Sequence, residues 1–367
     1  MSAISAAQVR AFRLARHHLT DPLPAKRLTE VVSAVAGVQA QVMSAAELAI
    51  WARSEGLSLR DVQESLWERR ELVKTWCMRG TLHLLPAAEW PLWSAALSHR
   101  EQWRRPAWLK WFGLTLEEME ELIASIGTEL GAEGKTREEL AELAPEHLRE
   151  EFLRGWGSHL KPAANAGMLV FGPNRGRNVT FVHPQAWLGP TGTVDREEAL
   201  RELFRRFLRA YGPATHQDFS TWWGGGTGAS NPRKLLRSLE GEVEEVEAEG
   251  RQAWMLSDDV ALLRSLERPK SIHLLPVFDV YTLHYRPREE FLPPGVYDRI
   301  YRTAGWISSV VLVDGAVAGV WESKRRARRM DLRVELFVRE TKRLRAGITR
   351  RARSLGDFLE LPIDLQV

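Results

Sequence analysis

Cysteine is almost missing from this chain: Cys77 is the single one in 367 residues. That excludes an internal disulfide framework and any cysteine-based metal cluster. Long apolar runs are missing as well, and none approaches the roughly 18 consecutive apolar residues that a membrane-spanning helix needs. The opening stretch Met1–Arg10 has neither the apolar core nor the cleavage pattern of a signal peptide. The expectation is a cytoplasmic chain with no membrane partner. An excess of one charge is also lacking, since the formal net charge is only +3. What remains is ordinary for a soluble globular protein, at 44% hydrophobic and 27% charged residues. The length exceeds that of a usual single domain, so several compact units are expected.

The distribution of charge says more than its sum. From Lys324 to Arg353 the acids are Asp331, Glu335 and Glu340, set among many arginines and lysines. Such a block can neutralise phosphates, or it can be a solvated face. Its densest part is Lys324-Arg325-Arg326-Ala327-Arg328-Arg329.

A repeated plan runs through the first 265 residues. Ala6–Leu19, Thr29–Ala36, Ser44–Arg53 and Leu59–Arg69 have helical periodicity. Leu72–Met78 and Thr81–Leu85 then alternate like strands around Arg79-Gly80. Leu116–Leu130, Thr136–Leu143 and Leu148–Phe152 are the next helices, the second opened by a Thr136/Glu139 capping box. Strands Met168–Phe171 and Val179–His183 follow, with Pro173–Arg177 between them. The third round is Arg196–Tyr211, His216–Trp223 and Pro232–Leu239, then Val243–Ala248 and Gln252–Leu256 joined at Glu249-Gly250. Helices followed by a two-stranded wing make the winged-helix plan, used more often to bind DNA than to dock proteins. The expected divisions are 1–100, 101–190 and 191–265, one winged helix each.

Residues 266–367 change character and predict a β-rich C-terminal domain. Ile272–Phe278, Trp306–Val313, Ala316–Trp321 and Asp331–Phe337 read as strands, with Asp314-Gly315 a two-residue hairpin turn. Thr341–Arg353 reads as a terminal helix followed by a short tail. The fold class is therefore mainly α with β: three tandem winged-helix motifs and a β-rich domain carrying a basic hairpin.

Gln39-Ala40-Gln41 lies in the joint between two helices, after Gly37, which can close the first, and before Ser44 and Glu47, which form a capping box for the second. In an extended joint the side chains at i and i+2 point the same way. Two neutral amides then face one spot. A glutamine is no general base, but its carbonyl can hold a water and face a developing cation. It can equally solvate a loop or cap a helix.

These residues resemble the winged-helix DNA glycosylases of the AlkZ/YcaQ group. The resemblance spans nearly the whole chain. It rests on Gly37–Gln41, Met78-Arg79-Gly80-Thr81-Leu82-His83-Leu84, Leu274–Tyr281 and Val311–Gly315. The group's catalytic motif is Gln-apolar-Gln in one branch, which Gln39, Ala40 and Gln41 match, and carries Asp at the second polar position in the other. The chain departs from the group's Phe-Asp-Pro-Tyr and later Gly-Tyr-Arg signatures, with Val280 and His284 in place of Pro and Gly. The resemblance implies a monofunctional DNA glycosylase, with no cofactor and no metal, that excises N7-alkylated purines from double-stranded DNA and extends to bulky or crosslinked adducts. It makes Gln39 and Gln41 the catalytic pair and the turn Lys324–Arg329 a hairpin reaching DNA beside the lesion. The rival reading is a non-catalytic winged-helix regulator, but such regulators usually dimerise. No heptad stretch or other dimer element is visible, so a monomer is expected.

Other candidates carry less. Arg175 and Arg177 on the second wing are expected to touch the DNA backbone, and Arg79 at the first wing's tip is a DNA contact or a turn residue. Trp76 on that wing is a candidate to face a base. Glu242, Glu244, Glu245, Glu247 and Glu249 should turn the third wing away from DNA. His17-His18 reads as a surface pair, because no ligand-spaced partner lies nearby. Gly224-Gly225-Gly226 has no Lys-Ser/Thr after it, so it is no phosphate loop. Asp279 and Tyr281 read as a buried hydrogen-bonded pair holding the β-domain together.

Overall fold

The computed structural model describes residues 4–154, 157–224 and 231–367; Gly225 and Gly226 of the triple-glycine run lie outside them. The architecture is mixed α/β, in two compact units, each assembled from separate stretches of chain. One comprises the chain up to Gln63 with Phe204–Phe219 and Leu239–Val367; the other comprises Glu64–Leu203 and Ser220–Ser238.

The second unit holds the first two hairpins. Leu72–Trp76 pairs antiparallel with Leu82–Pro86, and Met78–Gly80 between them is a tight turn with Arg79 in the left-handed region (φ 57°). Leu116–Glu129 is a helix opened by a reciprocal Thr115/Glu118 capping box, and Thr136 and Glu139 do the same for Arg137–Ala141. The second hairpin runs further than alternation suggested, Val170–Arg175 against Asn178–Val182, so its turn narrows to Gly176-Arg177. A two-residue strand, Lys135–Thr136, lines up on its other side. The strands close tightly around Thr180: a Cβ on Gly134 would come within 2.4 Å of its hydroxyl, and one on Gly172 within 2.7 Å. Trp76 is 5% exposed and packs on Phe171 and Phe181, with Met119, Leu122, Ile126 and Leu140 in the same core. It is a core residue, packed inside the unit, and its edge reaches a cavity there. Cys77 beside it is buried, and burial pushes its thiol up to about 12.

The first unit begins with the helix Ala6–Arg16, capped by Ser5 and Gln8. Val9 and Phe12 pack against Val246, Ala248 and Met255 of the third hairpin and Val260 and Leu263 of the helix after it. That hairpin pairs Val243–Ala248 with Arg251–Leu256 through Glu249 (φ 53°) and Gly250 (φ 71°), consistent with a type I′ turn. Its acidity is lower than the sequence implied. Glu242 pairs with Arg205 at 2.7 Å, and the Glu249 carboxylate is buried, accepting from the Tyr285 hydroxyl at 3.1 Å.

The C-terminal sheet has five strands in the order Ile272–Leu275, Val310–Val313, Ala316–Arg325, Met330–Leu336 and Ile363–Gln366. Neighbours are antiparallel except the last pair, which is parallel. The short tail expected after the helix is thus a strand. The helix itself is longer than expected, Lys342–Leu359, capped by Thr341. It lies so close on Ile272 that a Cβ at Gly347 would stand 2.3 Å from that side chain.

A buried ion pair joins the N-terminal helices to this sheet within the unit. Both Arg53 and Asp279 side chains are fully buried, and the guanidinium donates to the two carboxylate oxygens at 2.7 and 2.8 Å. Asp279 also accepts from the Tyr281 backbone N–H at 2.9 Å, while the Tyr281 hydroxyl donates to the Gly315 carbonyl. The expected Asp279–Tyr281 side-chain pair is therefore replaced by Arg53–Asp279. His17 is buried, not a surface residue: its Nε2 bonds the Ala210 carbonyl at 3.1 Å and its Nδ1 faces Arg53 at 3.5 Å. Nε2 must donate to a carbonyl, which leaves Nδ1 an acceptor and the ring neutral. Burial, then Arg53, holds its pKa well below 6.5.

Two outcomes follow from this interior. Asp279→Ala leaves a buried guanidinium uncompensated and should cost about 3–5 kcal/mol in chemical denaturation. His273, buried on the first strand of the sheet, has its pKa lowered to about 3, by burial first and by Arg351 second. Above pH 6.5 the ring is neutral folded and unfolded, so nothing is lost. Below it the unfolded chain binds the proton first, and this one site should erode stability by roughly 1.4 kcal/mol per pH unit down to about pH 3. His273→Leu should flatten that slope in melting temperatures measured from pH 7.5 to 5, and an unchanged slope would refute the assignment.

Candidate active site

The approach to the glutamines is built from a helix end. Leu28–Ala34 closes with Ala36, not Gly37, in the left-handed position (φ 53°). Ala36 N–H donates to Ser33 and Gly37 N–H donates back to Val32, the paired bonds of a Schellman motif. Gly37 (φ 92°) then turns the chain into the two-residue strand Val38–Gln39. Gln39 is 6% exposed and Ala40 is 1% exposed, whereas Gln41 sits exposed in a bend. The strand ends at Gln39, and the two glutamines differ in exposure, the first buried and the second at the surface.

The next helix is Met43–Trp51, with Val42 at its N-cap and no side-chain capping bond. Ser44 already lies inside it, so the expected capping box does not form, and Glu47 is buried. Ser44, Ala45 and Leu48 instead face a cavity of about 810 Å³ within the first unit. Its other walls come from the C-terminal sheet and the segment before it. Arg299 and Glu335 form a two-pronged pair there at 2.8 and 2.5 Å, which holds the Glu335 carboxyl below its usual range. Arg302 and Arg333 also line it; Arg333 stands opposite Glu322 across the strands and adds to the lowering of Glu335. Trp306 is 42% exposed on the rim and meets Phe278 edge-on at 4.9 Å. Alternation had made Trp306 the start of a strand. Two successive left-handed residues, Ala304 (φ 56°) and Gly305 (φ 73°), place it in a turn instead. Only the Ala304-Gly305 step beside an isolated tryptophan could have signalled this.

Glu322 and Ser323 of the cavity wall lie on the strand that continues into the basic hairpin. Arg325 pairs with Met330 across the strands, and Arg326–Arg329 forms the tip, closed by the Arg326 N–H to the Arg329 carbonyl at 2.8 Å. The cations are not equivalent. Arg326 and Arg329 both bond Asp331, at 2.7 and 2.9 Å, and hold its carboxyl below the usual range, Arg326 first. Lys324, Arg325 and Arg328 are exposed and, among the described residues, have no acidic partner.

The remaining basic candidates lie in the second unit. Arg175 bonds Glu139 at 2.8 Å and also the Gly134 carbonyl, while Arg177 is exposed at the turn. The Arg79 guanidinium donates to the Trp222 carbonyl at 2.8 Å, so its structural role is the one with a visible partner. Among the described residues no three His, Cys, Asp or Glu side chains gather as metal ligands would, and no helix is long and apolar enough to cross a membrane.

Comparison with known proteins places this arrangement. The profile of the family described as "DNA glycosylase AlkZ-like" matches residues 32–358. A protein of Streptomyces sahachiroi named "Interstrand DNA cross-link repair glycosylase" is 37% identical over 324 residues, 86% of this chain and 87% of that protein. The solved structure of Streptomyces sahachiroi DNA glycosylase AlkZ superposes with a TM-score of 0.88 at 32% identity, covering 100% of both chains.

Proposed function

The chain belongs to the AlkZ-like DNA glycosylase family, and from that premise we propose that it hydrolyses the N-glycosidic bond of N7-alkylated purines in double-stranded DNA, interstrand crosslinks among them. The observation that carries this reading is the placing of Gln39 and Gln41. They lead directly into the helix whose first turns line the cavity, and the opposite wall continues into the basic hairpin. A relative named for interstrand crosslink repair supports the substrate class.

Alkylation at N7 puts a positive charge on the purine, which is then a good leaving group. As the C1′–N9 bond breaks, its electron pair moves onto the base and neutralises that charge. The sugar is left as an oxocarbenium-like cation. The amide carbonyls of Gln39 and Gln41 face this cation and hold the attacking water, whose oxygen bonds C1′ and whose proton passes to solvent. A glutamine has no basicity to offer at neutral pH, so the work is orientation and charge stabilisation. Undamaged purines, poorer leaving groups, are spared. The first two hairpins with their helices act as winged helices on the duplex, the third keeps its acidic wing turned away from it, and the enzyme works as a monomer. A regulator that merely binds DNA has no use for the glutamine pair.

Gln39→Ala and Gln41→Ala should each slow release of N7-methylguanine from duplex DNA by about 10²-fold or more, with little change in DNA affinity. Because Gln39 is buried and Gln41 exposed, the first should also lower the melting temperature and the second should not. Full activity in the double variant would remove the pair from the mechanism.

For the hairpin, Arg325→Ala with Arg328→Ala should flatten the slope of log K against log salt by roughly 0.9 per lost phosphate contact. Arg326→Ala with Arg329→Ala should change it less, since Asp331 already engages both. Equal slopes in all three proteins would make the turn a bystander.

A further inference from the structure

The second unit contains a cavity of about 310 Å³ that the glycosylase reading does not use. Three cationic side chains line it, Arg79, Arg100 and Lys161, and among the described residues no aspartate or glutamate does. Aromatic faces complete the wall, chiefly Trp103, Trp108 and Phe112. Arg100 is 4% exposed. It donates to the Trp223 carbonyl and lies 4.7 Å over that residue's ring, yet its Nε is buried without a hydrogen-bond partner. Lys161 is partly buried and has no carboxylate partner among the described residues. Burial first, then Arg100, lowers its pKa.

Two cations drawn out of water side by side, with no anion to offset them, are costly to the folded state. Such an arrangement is retained where an anion completes it. Arginine donates in a planar fork suited to phosphoryl oxygens, and lysine adds a point charge beside it. Trp108 and Phe112 are only partly buried, pack on each other at 4.1 Å and line the same cavity. The volume lies at the lower end of the range usual for small-molecule sites.

We propose that this cavity is a second ligand site, one that takes the phosphoryl group of a nucleotide on Arg100 and Lys161 with its base against the Trp108 and Phe112 rings. The same chemistry is offered by a free nucleoside monophosphate and by a nucleotide within a DNA strand. The proposal uses neither glutamine, so it stands or falls independently of the catalytic assignment.

The test uses the full chain and its Lys161→Gln variant, with circular dichroism confirming that both are folded. Equilibrium dialysis measures binding of inorganic phosphate, of deoxyadenosine monophosphate and of a short single-stranded oligonucleotide without terminal phosphates. The expected result is saturable binding of a phosphate-bearing probe that weakens at least about tenfold in Lys161→Gln, the loss expected for one charged hydrogen bond. Loss confined to the monophosphate identifies a free nucleotide as the ligand, and loss confined to the oligonucleotide identifies a strand phosphate. Excision of N7-methylguanine at saturating DNA should be unchanged by the substitution, whichever source applies. If no probe binds, or if all bind both proteins equally, the site does not exist.

Discussion

Arg53 and Asp279 are the contact on which the first unit turns. They are 226 residues apart in sequence, and both side chains are fully buried. Arg53 comes just after Ala52, the C-cap of the helix Met43–Trp51, and donates to Ala49 within it, so it fixes the C-terminal end of that helix. Asp279 caps the short helix Val280–His284, and Tyr281 in that helix grips the Asp314-Gly315 turn. One ion pair thus sets the cavity wall made by Ser44, Ala45 and Leu48 against the sheet that makes the others. The charges gain little net stability over an apolar replacement, because desolvating them is expensive. What they contribute is register: an arginine fork meets both oxygens of one carboxylate in only a narrow range of positions.

The same economy governs the neighbours. Arg13 is 3% exposed and spends its donors on the carbonyls of Tyr211, Pro213 and Arg286 while lying 4.4 Å over the Tyr285 ring. His17 must stay neutral because its two partners are a carbonyl and a guanidinium. This interior is polar, and few of its members titrate without cost.

Much of this was legible where local chemistry decides. Glu249-Gly250 and Asp314-Gly315 turn as their residues require, and Arg196–Tyr211 and His216–Trp223 have the bounds their periodicity gave. The reading failed where distant partners decide. Nothing near His17 foretells Ala210, and no local pattern joins Arg53 to Asp279. Ile363–Gln366 alternates apolar and polar, but four residues are too few to tell a strand from a tail, and its partner Met330–Leu336 lies before the terminal helix. Ser44 had the makings of a cap, but Val42 turned first. At the candidate site the two glutamines were visible as paired amides in a helix joint, a pattern that also suits a solvated loop, and resemblance alone gave them a catalytic role. The difference in burial between its two glutamines, and the cavity's Arg302, Arg333 and Trp306, emerge only once the chain is folded.

The state of Cys77 bears on the surroundings in which this enzyme would work. DNA carrying alkylated purines has met an electrophile, and a protein arriving there meets what is left of it. A thiol reacts with such reagents as its thiolate. Burial raises the Cys77 pKa to about 12, so at neutral pH the group is held as the thiol, out of contact with solvent. The chain's one thiol is therefore kept from acting as an exposed soft nucleophile, and electrophiles that reach the protein surface do not find it there.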